Sequence, residues 1–294
     1  MKLRWQSKLV LLLVLPFAGA DLVLQTHWWA TQMMLVALVT VGLSFLLGLV
    51  VLKLRAATPS GAATGAVLTA SLMFSTLTFP YRPWQTALIP VLAVSLLAWI
   101  ATRLGREQKE RLGTAEQRHG RSEYQVAANL GAAAIASSEF AQTWLTNTHW
   151  FTRPHLAPAL LFAVGLAALA EAAADTVSSE IGQVFGGQPR MITTFRQVDP
   201  GADGAISLAG TLAGIAAAAI VALAGALALG GGWEMFWIAC AGGVFGLFFD
   251  SLLGATLERR GWLNNDAVNF LSTAGAAGFA LGLLAAMAHS GVLG

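Results

Sequence analysis

L-A-P-A-L-L-F-A-V-G-L-A-A-L-A-E-A-A-A-D-T-V-S-S-E-I-G, residues 156–182, decides what kind of protein this is. A helix that crosses a bilayer needs about 20 mostly apolar residues, and this run supplies them over residues 156–177. Two acids, Glu171 and Asp175, lie inside it. Acids within a membrane helix are costly and are held there by function or by a buried partner.

The rest of the chain repeats the apolar pattern. Further segments lie at 8–24, 30–52, 61–79, 84–102, 125–145, 205–229, 234–256 and 266–288, which predicts about nine transmembrane helices. Of the 294 residues, 56% are hydrophobic and only 11% are charged, against about 25% charged in soluble domains. The expected fold class is therefore all-α: one polytopic membrane helix bundle spanning residues 1–294, with no room for a soluble domain. A net charge of +2 gives no reason to expect nucleic acid. The single cysteine, Cys240, excludes an intramolecular disulfide and a cysteine-based zinc site.

Orientation follows from Lys and Arg, which favour the cytoplasmic side. With a cytoplasmic N-terminus and the C-terminus outside, 17 cations sort cleanly. Lys2, Arg4, Lys8, Lys53, Arg55, Arg103, Arg106, Lys109, Arg111, Arg118, Arg121, Arg190, Arg196, Arg259 and Arg260 fall inside, and only Arg82 and Arg153 fall outside. Trp28, Trp29, Trp84, Trp144, Trp150 and Trp233 lie near the outer ends, where indole rings prefer the interface. Lys2, Arg4 and Lys8 precede the run Leu9 to Ala18, and Ala18-Gly19-Ala20 resembles a signal-peptidase site. Residues 1–24 thus read either as a first helix or as a signal-like segment, with the same topology downstream.

The inner loops hold the polar chemistry. The loop from Arg103 to Glu123 mixes both charges and reads mainly as a solvated helix laced with ion pairs. Its end differs: Gly120-Arg121-Ser122 leads into a helix carrying Gln125 and Asn129, four apart on one face. An arginine at a helix start is a good anion clamp. In the sixth segment, Glu171, Asp175, Ser178 and Gly182 share a face. Two carboxylates one turn apart suggest a divalent cation site, because Mg²⁺ takes carboxylate oxygens and keeps water or phosphate as its remaining ligands. Glu180, about 140° round from Asp175, joins only if the helix frays. The alternative is that these acids pair with arginines of neighbouring helices.

The next loop, G-G-Q-P-R-M-I-T-T-F-R-Q-V-D-P-G-A-D-G-A-I-S-L-A-G, offers Arg190, Thr193 and Thr194, then Pro200-Gly201 and Gly204 before the seventh helix. Backbone amides at such a turn suit phosphate. No Walker A lysine follows. Further on, Asp250, Gly254 and Glu258 are four apart. Asn264, Asn265, Asp266 and Asn269 open the ninth segment, where Asn264 or Asn265 fits a helix cap.

These blocks resemble a known membrane family. G-R-S-E-Y-Q-V-A-A-N at Gly120 to Asn129, D-T-V-S-S-E-I-G at Asp175 to Gly182, P-R-M-I-T-T at Pro189 to Thr194, P-G-A-D-G-A-I-S-L-A-G at Pro200 to Gly210, D-S-L-L-G-A-T-L-E at Asp250 to Glu258 and N-D-A-V-N-F-L-S-T at Asn265 to Thr273 are similar to the family that includes plant phytyl-phosphate kinase. The likeness runs in order over residues 61–280. It departs at Val177, where small or aromatic residues are usual, and at Glu258, where Gln is frequent.

The resemblance implies transfer of phosphate from a nucleoside triphosphate, CTP by expectation, to an isoprenoid monophosphate of the phytyl or geranylgeranyl type. In that reading Asp175, Asp250, Glu180 and Glu171 hold Mg²⁺. Asp175, Asp250 and Asn269 are the catalytic set. Arg121, Gln125, Asn129, Ser178, Ser179, Arg190, Thr193, Thr194, Gly201, Gly204 and Asn265 bind substrate and phosphates. The expected partners are the lipid bilayer, the isoprenoid phosphate and the nucleotide, with no nucleic acid and a homo-oligomer left open. The expected place is the inner (plasma) membrane with the active side cytoplasmic. A secondary transporter or ion pathway, an isoprenol kinase or cytidylyltransferase, and a structural role remain as alternatives.

Overall fold

A computed structural model describes residues 3–113, 120–147 and 158–290. The expectations placed on Lys2, Arg118, Trp150, Arg153 and the first residues of the sixth segment lie outside them. Eleven α-helices are formed: α1 (Arg4–Gln32), α2 (Met34–Lys53), α3 (Pro59–Ser75), α4 (Leu88–Arg103), α5 (Arg106–Leu112), α6 (Glu123–Ser137), α7 (Glu139–Asn147), α8 (Pro158–Phe185), α9 (Leu208–Leu229), α10 (Gly232–Leu253) and α11 (Asn265–Ser290). A two-residue hairpin, β1 (Arg190–Met191) against β2 (Ala205–Ile206), lies between α8 and α9.

Each predicted segment carries a helix, but the helices are not equal. Among the described residues six are long and apolar enough to cross a membrane: α1, α2, α8, α9, α10 and α11. The pair α4 and α5, bent by 66°, makes a seventh if counted as one span. The 17 residues of α3 and the 15 of α6 are too short: at 1.5 Å per residue they reach about 25 Å and 22 Å, under the ~30 Å of a hydrocarbon core. The starts of these two short helices are sewn together. The Thr58 N–H donates to the Arg121 carbonyl at 2.9 Å, and the Arg121 N–H donates to the Ala56 carbonyl at 3.0 Å. Thr58 and Ser122 cap the two helices.

The quoted stretch becomes the central element. In α8, 89% of the residues in the apolar stretch are buried, against 39% or fewer in the other five spans. It packs on α4, α6, α9, α10 and α11. Ala167, Ala168, Ala170, Ala173 and Ala174 let the surrounding helices approach closely, and Leu161, Leu166 and Leu169 fill the space between them. The first helix also belongs to this core. Val14 is fully buried against Gly131 of α6, where an added Cβ would meet its methyl groups at 2.4 Å.

Hydrogen bonds gather many of the cation-bearing helix ends on one face. Arg103 donates to the Leu54 carbonyl at 2.7 Å, joining the ends of α4 and α2. The Gln6 amide donates to the Trp262 carbonyl and accepts from the Asn264 N–H, both at 2.8 Å, joining the starts of α1 and α11. At the opposite ends, Trp29 meets Trp28 edge-on and packs at a tilt against Phe79.

Candidate active site

Five elements converge beneath the cationic face. The last turns of α8 bring Asp175, Ser178 and Ser179. The end of α10 brings Asp250. The starts of α6 and α11 bring Arg121, Gln125 and Asn129, and Asn265 and Asn269. The loop before α9 brings Gly201 and Gly204. All of these side chains and turns line one polar cavity of about 350 Å³. Its geometry depends on backbone detail at two points. Past Asp250 the helix widens into a π turn, Gly254–Glu258, a distortion common at functional sites. The loop closes onto that turn at Gly204, which sits at φ +75°, where an added Cβ would lie 2.3 Å from the Ala255 nitrogen.

At the centre, the carboxyl groups of Asp175 and Asp250 meet within hydrogen-bonding range across the α8–α10 interface. Like charges that close require a proton or a cation between them. The Oδ1 of Asp250 is buried with no hydrogen-bond partner, a state that costs free energy unless something fills it. Arg121 donates to the Thr176 hydroxyl at 3.3 Å and lies near enough to act on the Asp175 charge. On the other wall Asn269 donates to the Asn129 side-chain oxygen at 3.3 Å. The cavity wall holds five carboxylates (Asp175, Glu180, Asp203, Asp250 and Glu258) and one guanidinium, Arg121.

Several sequence expectations need correction. Glu171 does not line the cavity. It lies four residues, or about 6 Å, deeper in α8, fully buried beside Gly246 with Oε1 unpartnered. Glu180 reaches the cavity wall, but its Oε2 accepts from Lys109 Nζ at 2.5 Å, so the charge is already met by an internal cation. Arg190, in β1, and Thr193 and Thr194, in the turn that follows it, are exposed and stay outside the cavity. Arg190 bridges Gln197 and donates to the Phe195 carbonyl at 2.8 Å. Gln125 lines the cavity, yet its side-chain oxygen accepts from the Ser122 N–H at 2.9 Å in a capping box. Asn264 is the cap of α11, accepting from the Ala267 N–H at 2.9 Å, which leaves Asn265 on the cavity wall.

Residues missed by the sequence reading include Thr176, the partner of Arg121, and Asp203, which faces Glu258. The first is marked only by its place beside Asp175; the second sits within the quoted P-G-A-D-G turn.

Among the described residues no three His, Cys, Asp or Glu side chains close into a metal cage. The Asp175–Asp250 pair nonetheless fits Mg²⁺, which is commonly bound through one or two carboxylates plus substrate phosphates. The orphaned Asp250 oxygen is the observation that supports the fit.

Comparison with known proteins agrees with this architecture. No solved structure matches the chain. An uncharacterised membrane protein of Methanocaldococcus jannaschii is 45% identical over 37% of the chain and 45% of its own length. An uncharacterised membrane protein of Synechocystis is 31% identical over 68% of the chain and 74% of its own. The chloroplastic protein VTE6 of Arabidopsis thaliana is 31% identical over 70% of the chain and 60% of its own. The chain thus spans under half the length of the archaeal relative and about three fifths of the plant one. A family model matches residues 42–277, from within α2 to within α11 and so across every element that lines the cavity. A helical membrane bundle with its acids paired at one end, matched over that whole region, belongs to the integral membrane protein family DUF92.

Proposed function

We propose that this protein transfers the γ-phosphoryl group of a nucleoside triphosphate, CTP in the first instance, to an isoprenoid monophosphate of the phytyl or geranylgeranyl type. The polar cavity is the reaction site and faces the cytoplasm from the inner membrane, with the N-terminus on the same side. The observation that carries the reading is the Asp175–Asp250 pair with its unpartnered oxygen beside Arg121. The resemblance to the plant phytyl-phosphate kinase family supports the substrate class, and the similarity to the plant protein over 70% of the chain supports extending it here.

A phosphoryl transfer asks the protein for position and charge balance more than for covalent chemistry. An oxygen of the isoprenyl monophosphate attacks Pγ, the bond from Pγ to the β,γ-bridging oxygen breaks, and the nucleoside diphosphate leaves. A phosphate monoester has its second pKa near 6, so at neutral pH the attacking oxygen carries no proton and the site needs no general base. Arg121 holds the acceptor phosphate. Asn129 and Asn269 orient it, and Ser178, Ser179 and the Gly201–Gly204 turn meet the nucleotide. Asp175 and Asp250 would hold Mg²⁺, which neutralises nucleotide phosphates that this acid-lined wall would otherwise repel.

The test is turnover by purified protein in detergent with Mg²⁺, each nucleoside triphosphate, and phytyl or geranylgeranyl monophosphate, with the parent alcohols in parallel. Diphosphate formation that disappears in Asp175→Asn supports the reading. Product from the alcohols alone makes the protein an isoprenol kinase. Absence of turnover with every pair, in folded protein, rejects it.

One observation favours a second reading. Glu171, with a buried unpartnered oxygen one turn deeper than Asp175, extends the acids toward the membrane interior, as an ion pathway requires. Gradient-driven cation uptake into vesicles, abolished by Glu171→Gln, is the outcome that distinguishes it.

A further inference from the structure

A second cavity, of about 420 Å³, opens beside the first between α2, α3, α4 and α6. Arg121 and Asn129 line both. The two spaces differ in character. The first is walled by acids and amides. The second has a body of Leu47, Val51, Ala62, Val94, Ala98 and Leu130, and at its cationic end Arg55, Arg103 and Arg106, the last paired with Glu110 at 3.1 Å. Along α4 its lining runs from Arg103 to Val91, a depth of about 18 Å. It therefore enters over half the ~30 Å hydrocarbon core.

At Gly65 its width is set by a residue that nothing else requires to be small. An added Cβ at Gly65 would touch only Val126, at an ordinary 3.7 Å, and its backbone is not in the left-handed region. Neither helix packing nor conformation asks for glycine there. What glycine leaves at that point is open space in the cavity. Trp99 lines the same space, with Arg103 over its ring at 4.3 Å and its indole N–H buried and unpartnered.

We infer that this cavity seats the single isoprenoid chain of the acceptor, with its phosphate held at Arg121 where the two cavities meet. The inference rests on the phosphotransferase reading of the acid cavity. The charge pattern selects the occupant: a cationic mouth, an apolar shaft and a shared arginine match an anionic head on one apolar chain. A nucleotide polyphosphate finds only scattered hydroxyls, Thr69 and Ser95, in a mainly apolar shaft, and a two-chain phospholipid has a second tail with no seat. The arrangement sets the order of the parts. The chain points into the bilayer, the acceptor phosphate sits at Arg121, and the nucleotide approaches from the Asp175–Asp250 side. Shaft depth then limits chain length.

The experiment uses the full chain in lipid nanodiscs with a geranylgeranyl monophosphate analogue carrying a diazirine at the chain end. Labelled residues are mapped by mass spectrometry, and turnover is measured with monophosphates of five to twenty carbons. The expected label falls within residues 62–69 or 91–98 and is displaced by unlabelled geranylgeranyl monophosphate. Gly65→Leu, and separately Ala98→Leu, should lower kcat/KM for the twenty-carbon acceptor about tenfold or more, and leave the five-carbon acceptor within about twofold. Label confined to α9, α10 or the lipid-facing side of α2 overturns the assignment, as does an unchanged chain-length profile in both folded variants. Should either variant fail to fold, the labelling of the wild-type protein decides alone. Specific labelling without turnover keeps the chain seat and rejects the kinase, whereas turnover with label elsewhere keeps the kinase and rejects the seat.

Discussion

Lys109 and Glu180 form a buried ion pair, Nζ to Oε2 at 2.5 Å, and the same ammonium donates to the Ala101 carbonyl at 2.8 Å and the Thr102 carbonyl at 3.2 Å. One side chain thus caps the end of α4, holds α5 against α8 and satisfies an acid on the cavity wall. Replacing Lys109 by Met strands Glu180 and the α4 carbonyls. The expected loss is about 3–5 kcal/mol, read as a lower melting temperature in detergent. Adding Glu180→Gln should recover part of it. A Lys109→Met variant that melts like the wild type removes this account.

Asp250→Asn should separate function from stability. The amide can donate to Asp175, which relieves two facing carboxylates and satisfies a buried atom. Melting temperature should hold or rise, while turnover falls by about 10²–10³. Mg²⁺ should raise the melting temperature of the wild type and not that of Asp250→Asn. An equal Mg²⁺ shift in both would place the cation elsewhere.

Arg190→Ala, Thr193→Ala and Thr194→Ala should each leave kcat/KM within about twofold, since surface substitutions away from special features cost little. All three side chains are exposed, Arg190 in β1 and the threonines at the tip of the turn that follows it. A tenfold loss in any of them would mean that the tip folds over the cavity during turnover.

Gly204→Ala should cost about 1–2 kcal/mol from the left-handed backbone alone, before the clash with Ala255 is counted. Because the Gly201–Gly204 turn also lines the cavity, KM for the nucleotide should rise along with the loss of stability. A stability loss with unchanged KM would assign the turn a packing role only.

The helices were readable because twenty-residue apolar runs have few alternatives, and the Asp175–Asp250 site was readable because acids inside such runs are rare. What was not readable depends on contacts distant in sequence. Whether α3 and α6 span the bilayer turns on the bridge between Ala57 and Arg121, which no local pattern announces. Lys109 was one of several cations in a mixed-charge loop, and its choice of Glu180, 71 residues away, follows from the 66° bend at Gly105. Arg190 and the two threonines sit close in sequence to the cavity turn, but all three are exposed and none lines the cavity. Composition identified the right loop and could not say which way its side chains point.

The clasp between α1 and α11 has a consequence for biosynthesis. Ser7 donates to Asp266 at 2.5 Å across 259 residues, and Asn264 donates to the Leu3 carbonyl and the Ser7 hydroxyl, both at 2.9 Å. Asn265 and Asn269, immediately beyond that clasp, close one wall of the acid cavity. A nascent chain that has inserted α8 and α10 lacks that wall until α11 packs against α8 and α10 and the clasp to α1 closes. Completion of the acid cavity is thus tied to completion of the bundle, and a partly inserted protein is denied a finished cavity.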